Sequence, residues 1–118
     1  MIYHFITSEN LAKYLSASEL RLPSLETEGF IHCSTIDRVI DVANFLEPYD
    51  ETMRLLEIDE AKVGPEVKYE DAMNNGVLYP HIYGSLNRDA IVAEYPLEWD
   101  GEDGYVLPES LRAKRETI

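Results

Sequence analysis

Only one cysteine, Cys33, occurs among the 118 residues, which excludes an internal disulfide and any thiol cluster for a metal. Basic side chains are scarce as well: 10 lysines and arginines stand against 23 aspartates and glutamates, a formal net charge of −13. Such a surface repels phosphate backbones and anionic headgroups, so a broad nucleic-acid face is excluded, while a small local anion pocket remains open. The three histidines show neither His-x-His nor His-x-x-x-His spacing, and no metal site is expected. No apolar run approaches the roughly 18 residues that a membrane helix requires, and MIYHFITSEN lacks the basic-then-apolar layout of a secretory signal. These absences point to a soluble, cytoplasmic protein; composition does not set its oligomeric state.

What is present is a globular composition, 45% hydrophobic and 28% charged, at the size of one domain. The segment IYHFIT suits a strand covered on both faces, and SENLAKYLSAS places Leu11, Ala12 and Leu15 at helical spacing behind Thr7 or Ser8 as a cap. LRLPSLETE reads as a loop or short strand broken at Pro23. In IDRVIDVANFLEP, Ile36, Val39, Ile40, Ala43 and Leu46 form an apolar stripe that Pro48 ends, which predicts a helix from about Ile36. Residues 53–59 and 90–97 read as strands, with shorter ones at 67–71 and 105–108, and turn signals at Gly64-Pro65, Asn74-Asn75-Gly76, Asn87-Arg88-Asp89 and Asp100-Gly101. Several strands with two helices, both in the first half, predict an α+β fold. The domain is expected over residues 1–110, and LRAKRETI, residues 111–118, is expected as a frayed tail.

Two motifs can carry chemistry. In GFIHCST, residues 29–35, an extended backbone places Phe30, His32 and Ser34 on one face and turns Cys33 toward the core. Ser34 or Thr35 stands where the next helix needs a cap, and Ser34 with Asp37 fits a capping-box spacing, so His32 is expected beside unpaired helix amides, a place for a phosphate. The plainer alternative is that Ser34 only caps and His32 only packs. In YPHIYGSL, residues 79–86, His81 and Tyr83 share one side, and Gly84 permits a turn or a close backbone approach. Aromatics filling the core are the alternative there. The strand VKYED sets Glu70 on the face opposite Val67 and Tyr69, either in solvent or directed at a histidine.

GFIHCST before a helix, then LLEID, VKYE, PHIYGSL, an AIV strand and DGEDGYVLP together resemble the family of small bacterial proteins called domain of unknown function 952, from IYHFIT to VLP. The resemblance marks His4, Gly29, Phe30, His32, Ser34, Thr35, Glu70, Pro80, His81, Tyr83 and Gly84. Tyr79, Ser85 and Tyr105 depart from the family's habits, and the tryptophan often found in the first helix is missing. The family looks like a compact ADP-ribosyltransferase-like split β-sandwich around a cleft that holds NAD in relatives. The resemblance therefore implies His32, Tyr83 and Glu70 as catalytic and His4, Ser34, Thr35, His81 and Gly84 as ligand-binding, with a nucleotide-like or phosphorylated ligand and NAD as the implied co-substrate. In that superfamily the glutamate follows the tyrosine in chain order, whereas Glu70 precedes Tyr83; Glu94 fits by order, but the family pattern does not mark it. A non-catalytic binding module and a histidine-dependent hydrolase are the alternatives, and a carboxylate within hydrogen-bond reach of the cleft histidines separates the enzyme from the module.

Overall fold

The computed structural model describes residues 1–46, 50–72, 74–101 and 104–116. Strand β1 (Ile2–Thr7) leads directly into helix α1 (Ser8–Tyr14), with the Thr7 hydroxyl accepting from the Asn10 amide. β2 (Glu19–Leu20) follows, then α2 (Ser24–Thr27), β3 (Ile31–His32), α3 (Val39–Leu46) and β4 (Met53–Ile58). The second half carries β5 (Val67–Glu70), β6 (Tyr79–Ile82), β7 (Leu86–Asn87), β8 (Ile91–Pro96), β9 (Glu98–Trp99), β10 (Tyr105–Val106) and α4 (Glu109–Glu116). The fold is mixed α+β, as its sequence implies.

Three points differ from the sequence expectation. Three helices, not two, lie in the first half: Pro23, expected to break a strand, instead opens α2, because its fixed φ of −56° already suits a helix start where no amide hydrogen is needed. Helix α3 begins at Val39 rather than near Ile36. Residues 111–116 are not frayed but lie within α4, where Leu111 is buried against the core.

Two three-stranded antiparallel sheets dominate, one ordered β1-β4-β8 and the other β3-β6-β5, with the short pairs β2-β7 and β9-β10 beside them. In the first sheet β4 is central, and its near-continuous apolar run is explained by cover on both faces. Leu56 and Ile58 join Ile2, Ile6, Leu20, Ile31 and Ile82 in one buried cluster. Met53 and Leu55 join Tyr3, Val39, Ala43, Tyr105 and Leu111 in another. Helix α3 is fastened to β10 by Asn44, which accepts from the Tyr105 amide at 2.7 Å and donates to its carbonyl at 3.2 Å; a side chain on Gly104 would overlap Asn44.

The two sheets meet along the free edge of β1. The backbones of Tyr3 and Ser34 exchange two hydrogen bonds of 2.8 Å, so the segment after β3 is stitched to the first sheet. The sheets part beyond this stitch, and a cavity opens where they do. Among the described residues no helix is long and apolar enough to cross a membrane.

Candidate functional site

The second sheet positions the site by register. His32 of β3 pairs directly with His81 of β6, and Lys68 and Glu70 of β5 pair with His81 and Tyr79. Side chains alternate across a strand, so His32, His81, Glu70 and Tyr79 share one face while Ile31, Ile82 and Val67 turn to the core. Phe30 knits the face together: its ring stacks on His81 at 4.2 Å between centroids and meets His32 edge-on at 4.7 Å. The two imidazoles themselves lie 5.2 Å apart.

A cavity of about 440 Å³ opens at the junction of the sheets, lined among others by His4, Glu28, His32, Ser34, Tyr79 and His81. All three histidines of the chain thus meet at one concavity, although 77 positions separate the first from the last. Each is oriented by a fixed partner. His4 donates from Nδ1 to the His32 carbonyl at 2.6 Å, His32 donates from Nε2 to Glu28 Oε2 at 2.8 Å, and His81 donates from Nδ1 to Glu70 Oε1 at 2.9 Å. The Tyr83 hydroxyl donates to the same Glu70 oxygen. His81 is only 2% exposed, and its Nε2 makes no hydrogen bond among the described residues. An imidazole held at Nδ1 by a carboxylate presents Nε2 as a proton acceptor, the arrangement of a general base.

The electrostatics follow from these partners. Hydrogen bonds first from Tyr83 and then from His81 hold Glu70 below the usual carboxylate range, while the same bond to Glu70 pushes the Tyr83 hydroxyl up. Burial pulls His4 below the usual imidazole range, only partly offset by its bond to the His32 carbonyl. Burial likewise raises the Cys33 thiol, which packs in the first apolar cluster as a protonated core residue. The ammonium of Lys68 stands over the Tyr83 ring, 4.9 Å from its centre.

Of the residues singled out in the sequence, His4, His32, Ser34 and His81 line the cavity, and Glu70 and Tyr83 reach it through His81. Ser34 is nearly buried, and its hydroxyl makes no hydrogen bond among the described residues. Thr35 and Gly84 stand outside the lining. Thr35 does not cap α3 with its hydroxyl, which donates to Asp37 Oδ1 at 2.5 Å; its carbonyl receives the amides of Arg38 and Val39 instead. The hydroxyl-capped anion site expected there is absent among the described residues, because the Asp37 carboxylate takes the hydroxyl. Gly84 is required by close approach, since a Cβ there would sit 2.9 Å from Pro65. Sequence reasoning missed Glu28, four residues before His32, a spacing read only as part of a loop. Among the described residues no group of three histidine, cysteine or acidic side chains has the geometry to hold a metal ion.

The comparisons with known proteins agree with this architecture. No curated protein matches the chain. The crystal structure of protein CC0527 from Caulobacter crescentus superposes with a TM-score of 0.82 at 20% identity, covering 94% of this chain and 97% of that one. The solution NMR structure of the same protein superposes with a TM-score of 0.74 at 21% identity, over 95% and 94% of the two chains. At such identity the likeness speaks for the fold alone. The family described as "Protein of unknown function (DUF952)" matches residues 5–94, a span that holds both histidine motifs and Glu70. The chain belongs to the DUF952 family.

Proposed function

We propose that this is a cytoplasmic protein whose cavity binds a nucleotide-like or phosphorylated small molecule, with His81 as the group that moves a proton. One observation carries the reading: His81 is buried at the cavity wall with Nδ1 fixed by Glu70 and Nε2 free of partners among the described residues. A volume of about 440 Å³ suits a small-molecule site. The carboxylates that separate an enzyme from a passive cleft are within reach, Glu70 on His81 and Glu28 on His32.

The same reading takes the two stitched sheets as the split sandwich of the ADP-ribosyltransferase superfamily, and NAD or ADP-ribose as the ligand class. Glu70 accepts both of its bonds at Oε1, which leaves Oε2 to receive a ribose hydroxyl beside His81. Tyr83 orients the carboxylate rather than the substrate, and this role tolerates the reversed chain order of the two residues. A binding module without chemistry is the second reading, favoured by the mutual engagement of Tyr83 and Glu70.

A thermal-shift panel with NAD, ADP-ribose and simple nucleotides tests the reading, because a ligand of the native state must raise the unfolding midpoint. The midpoint is expected to rise with NAD or ADP-ribose, and nicotinamide release from NAD is expected to fall in Glu70→Gln while binding persists. Binding with no turnover in the parent selects the module. A midpoint unmoved by every compound overturns the proposal.

A further inference from the structure

The histidine cavity does not end at His81. Val42 and Tyr79 belong both to its wall and to a second, open groove of about 610 Å³, lined also by Arg38, Asp41, Phe45 and Val77. Arg38, Asp41, Val42 and Phe45 stand at three- and four-residue steps on and just before α3, so they form a single face directed into the groove. This face is distinct from the one that Val39 and Ala43 bury.

Its chemistry is unusual for this chain. Phe45 is 79% exposed, the most exposed large hydrophobic side chain among the described residues, and it lines a depression rather than a bulge. Arg38 is the only lysine or arginine among the described residues that line either the cavity or the groove, in a protein of net charge −13. Its contact with Asp37 is long, 3.9 Å at Nε, which leaves the terminal guanidinium nitrogens to bind elsewhere. Asp41 adds one acceptor between them.

We propose that this groove holds the nucleoside phosphate portion of a two-part ligand whose other end lies at the histidines. A planar base stacks on Phe45, a ribose hydroxyl donates to Asp41, and Arg38 receives the phosphate. Arg38 and Phe45 flank Val42, one of the two residues shared by groove and cavity, and the seven residue steps from one to the other rise about 10 Å along a helix, the order of length of a nucleoside 5′-phosphate. The inference rests on the reading of the histidine cavity as a nucleotide-type site and adds to it the residues that hold the nucleoside diphosphate end, away from the reacting group.

Titration calorimetry with ADP and with ADP-ribose separates the two ideas, using the parent, Phe45→Ala, Phe45→Trp, Arg38→Gln and His81→Asn. Phe45 and Arg38 are exposed or half-exposed, so their variants are expected to unfold with the parent, which circular dichroism checks. Phe45→Ala and Arg38→Gln are each expected to weaken ADP about ten-fold, Phe45→Trp to restore it, and His81→Asn to weaken ADP-ribose while leaving ADP unmoved. ADP affinity unchanged in Phe45→Ala and Arg38→Gln overturns the groove assignment, and a peptide or second copy as the occupant of Phe45 gives that result. ADP-ribose unmoved by His81→Asn but weakened by the groove variants overturns the cavity reading and keeps the groove. A parent that binds neither compound overturns both.

Discussion

Each of the two large sheets holds a tyrosine hydroxyl against a glutamate, and the pairs live in different surroundings. In the first sheet Tyr3 of β1 donates to Glu57 of β4 at 2.8 Å, the two residues are register partners, and both are buried, Tyr3 within the second apolar cluster. At the second sheet Tyr83, just after β6, donates to Glu70, which also holds His81, and the glutamate side chain is 40% exposed beside an open cavity. The same pair of functional groups therefore satisfies a buried carboxyl group in one place and orients a histidine in the other. What assigns the role is the third partner and the exposure, not the pair.

The comparison predicts that the first sheet carries stability and the second carries the site. The largest effect is expected from Leu55→Ala, which empties a fully buried position of the central strand β4 and should cost ~2–5 kcal/mol in denaturant unfolding. Tyr3→Phe removes one partner of the buried Glu57 and is expected to cost ~1–3 kcal/mol by the same measurement. Equal losses from Tyr83→Phe would break the division between the sheets.

Acid should find the seam between them. Burial holds His4 below its usual value of 6.5, so between that value and the lowered one the unfolded chain binds a proton that the folded chain refuses. Stability is expected to fall as pH drops through this window, and His4→Gln is expected to flatten the fall when unfolding midpoints are followed from about pH 7 to about pH 5. Glu70 works in a separate range: its depressed value contributes stability above its usual 4.5, and this is lost as pH falls below that point toward the folded value. A slope that persists unchanged in His4→Gln refutes the assignment to His4.

The division also accounts for what the sequence made legible. β1, β4 and β8 announce themselves by apolar alternation or apolar runs, and the convergence of His32 with His81 follows from two strand motifs with small or aromatic neighbours. Pro23 misleads because the same fixed φ ends one element and starts another. The polar composition of α4 hides a helix anchored at Leu111, and the Thr35 hydroxyl is diverted by Asp37, two residues away. Glu28 is illegible for a different reason. Its bond to His32 exists because α2 and β3 hold their ends together, and no periodicity within either short element reports that. The stitch between Tyr3 and Ser34 is likewise a tertiary fact, and the cavity depends on it.

The smallest effect on stability, and the sharpest on the site, is expected from the Glu70–Tyr83 pair itself. Glu70 lies low because the Tyr83 hydroxyl donates to it first and the His81 ring second, and Tyr83 lies high because its proton is held by the carboxylate. Tyr83→Phe should therefore raise the Glu70 titration midpoint toward the ordinary carboxylate value, read from side-chain carboxyl resonances, and lower the unfolding midpoint at neutral pH only by the small contribution that this depression makes. Glu70→Gln should in turn lower the Tyr83 titration midpoint toward the ordinary phenol value. It should also release His81 from its tautomer. A carboxylate accepts only from Nδ1–H, whereas the amide of Gln meets either tautomer, so the ring nitrogen resonances of His81 are expected to move from a single tautomer toward a mixture. Loss of ligand turnover together with this mixture, in a variant that still folds and binds, identifies Glu70 as the residue that positions His81. A ring that keeps one tautomer in Glu70→Gln shows instead that Phe30 stacking and burial alone hold the imidazole, and the two tyrosine–glutamate pairs then differ in exposure but not in role.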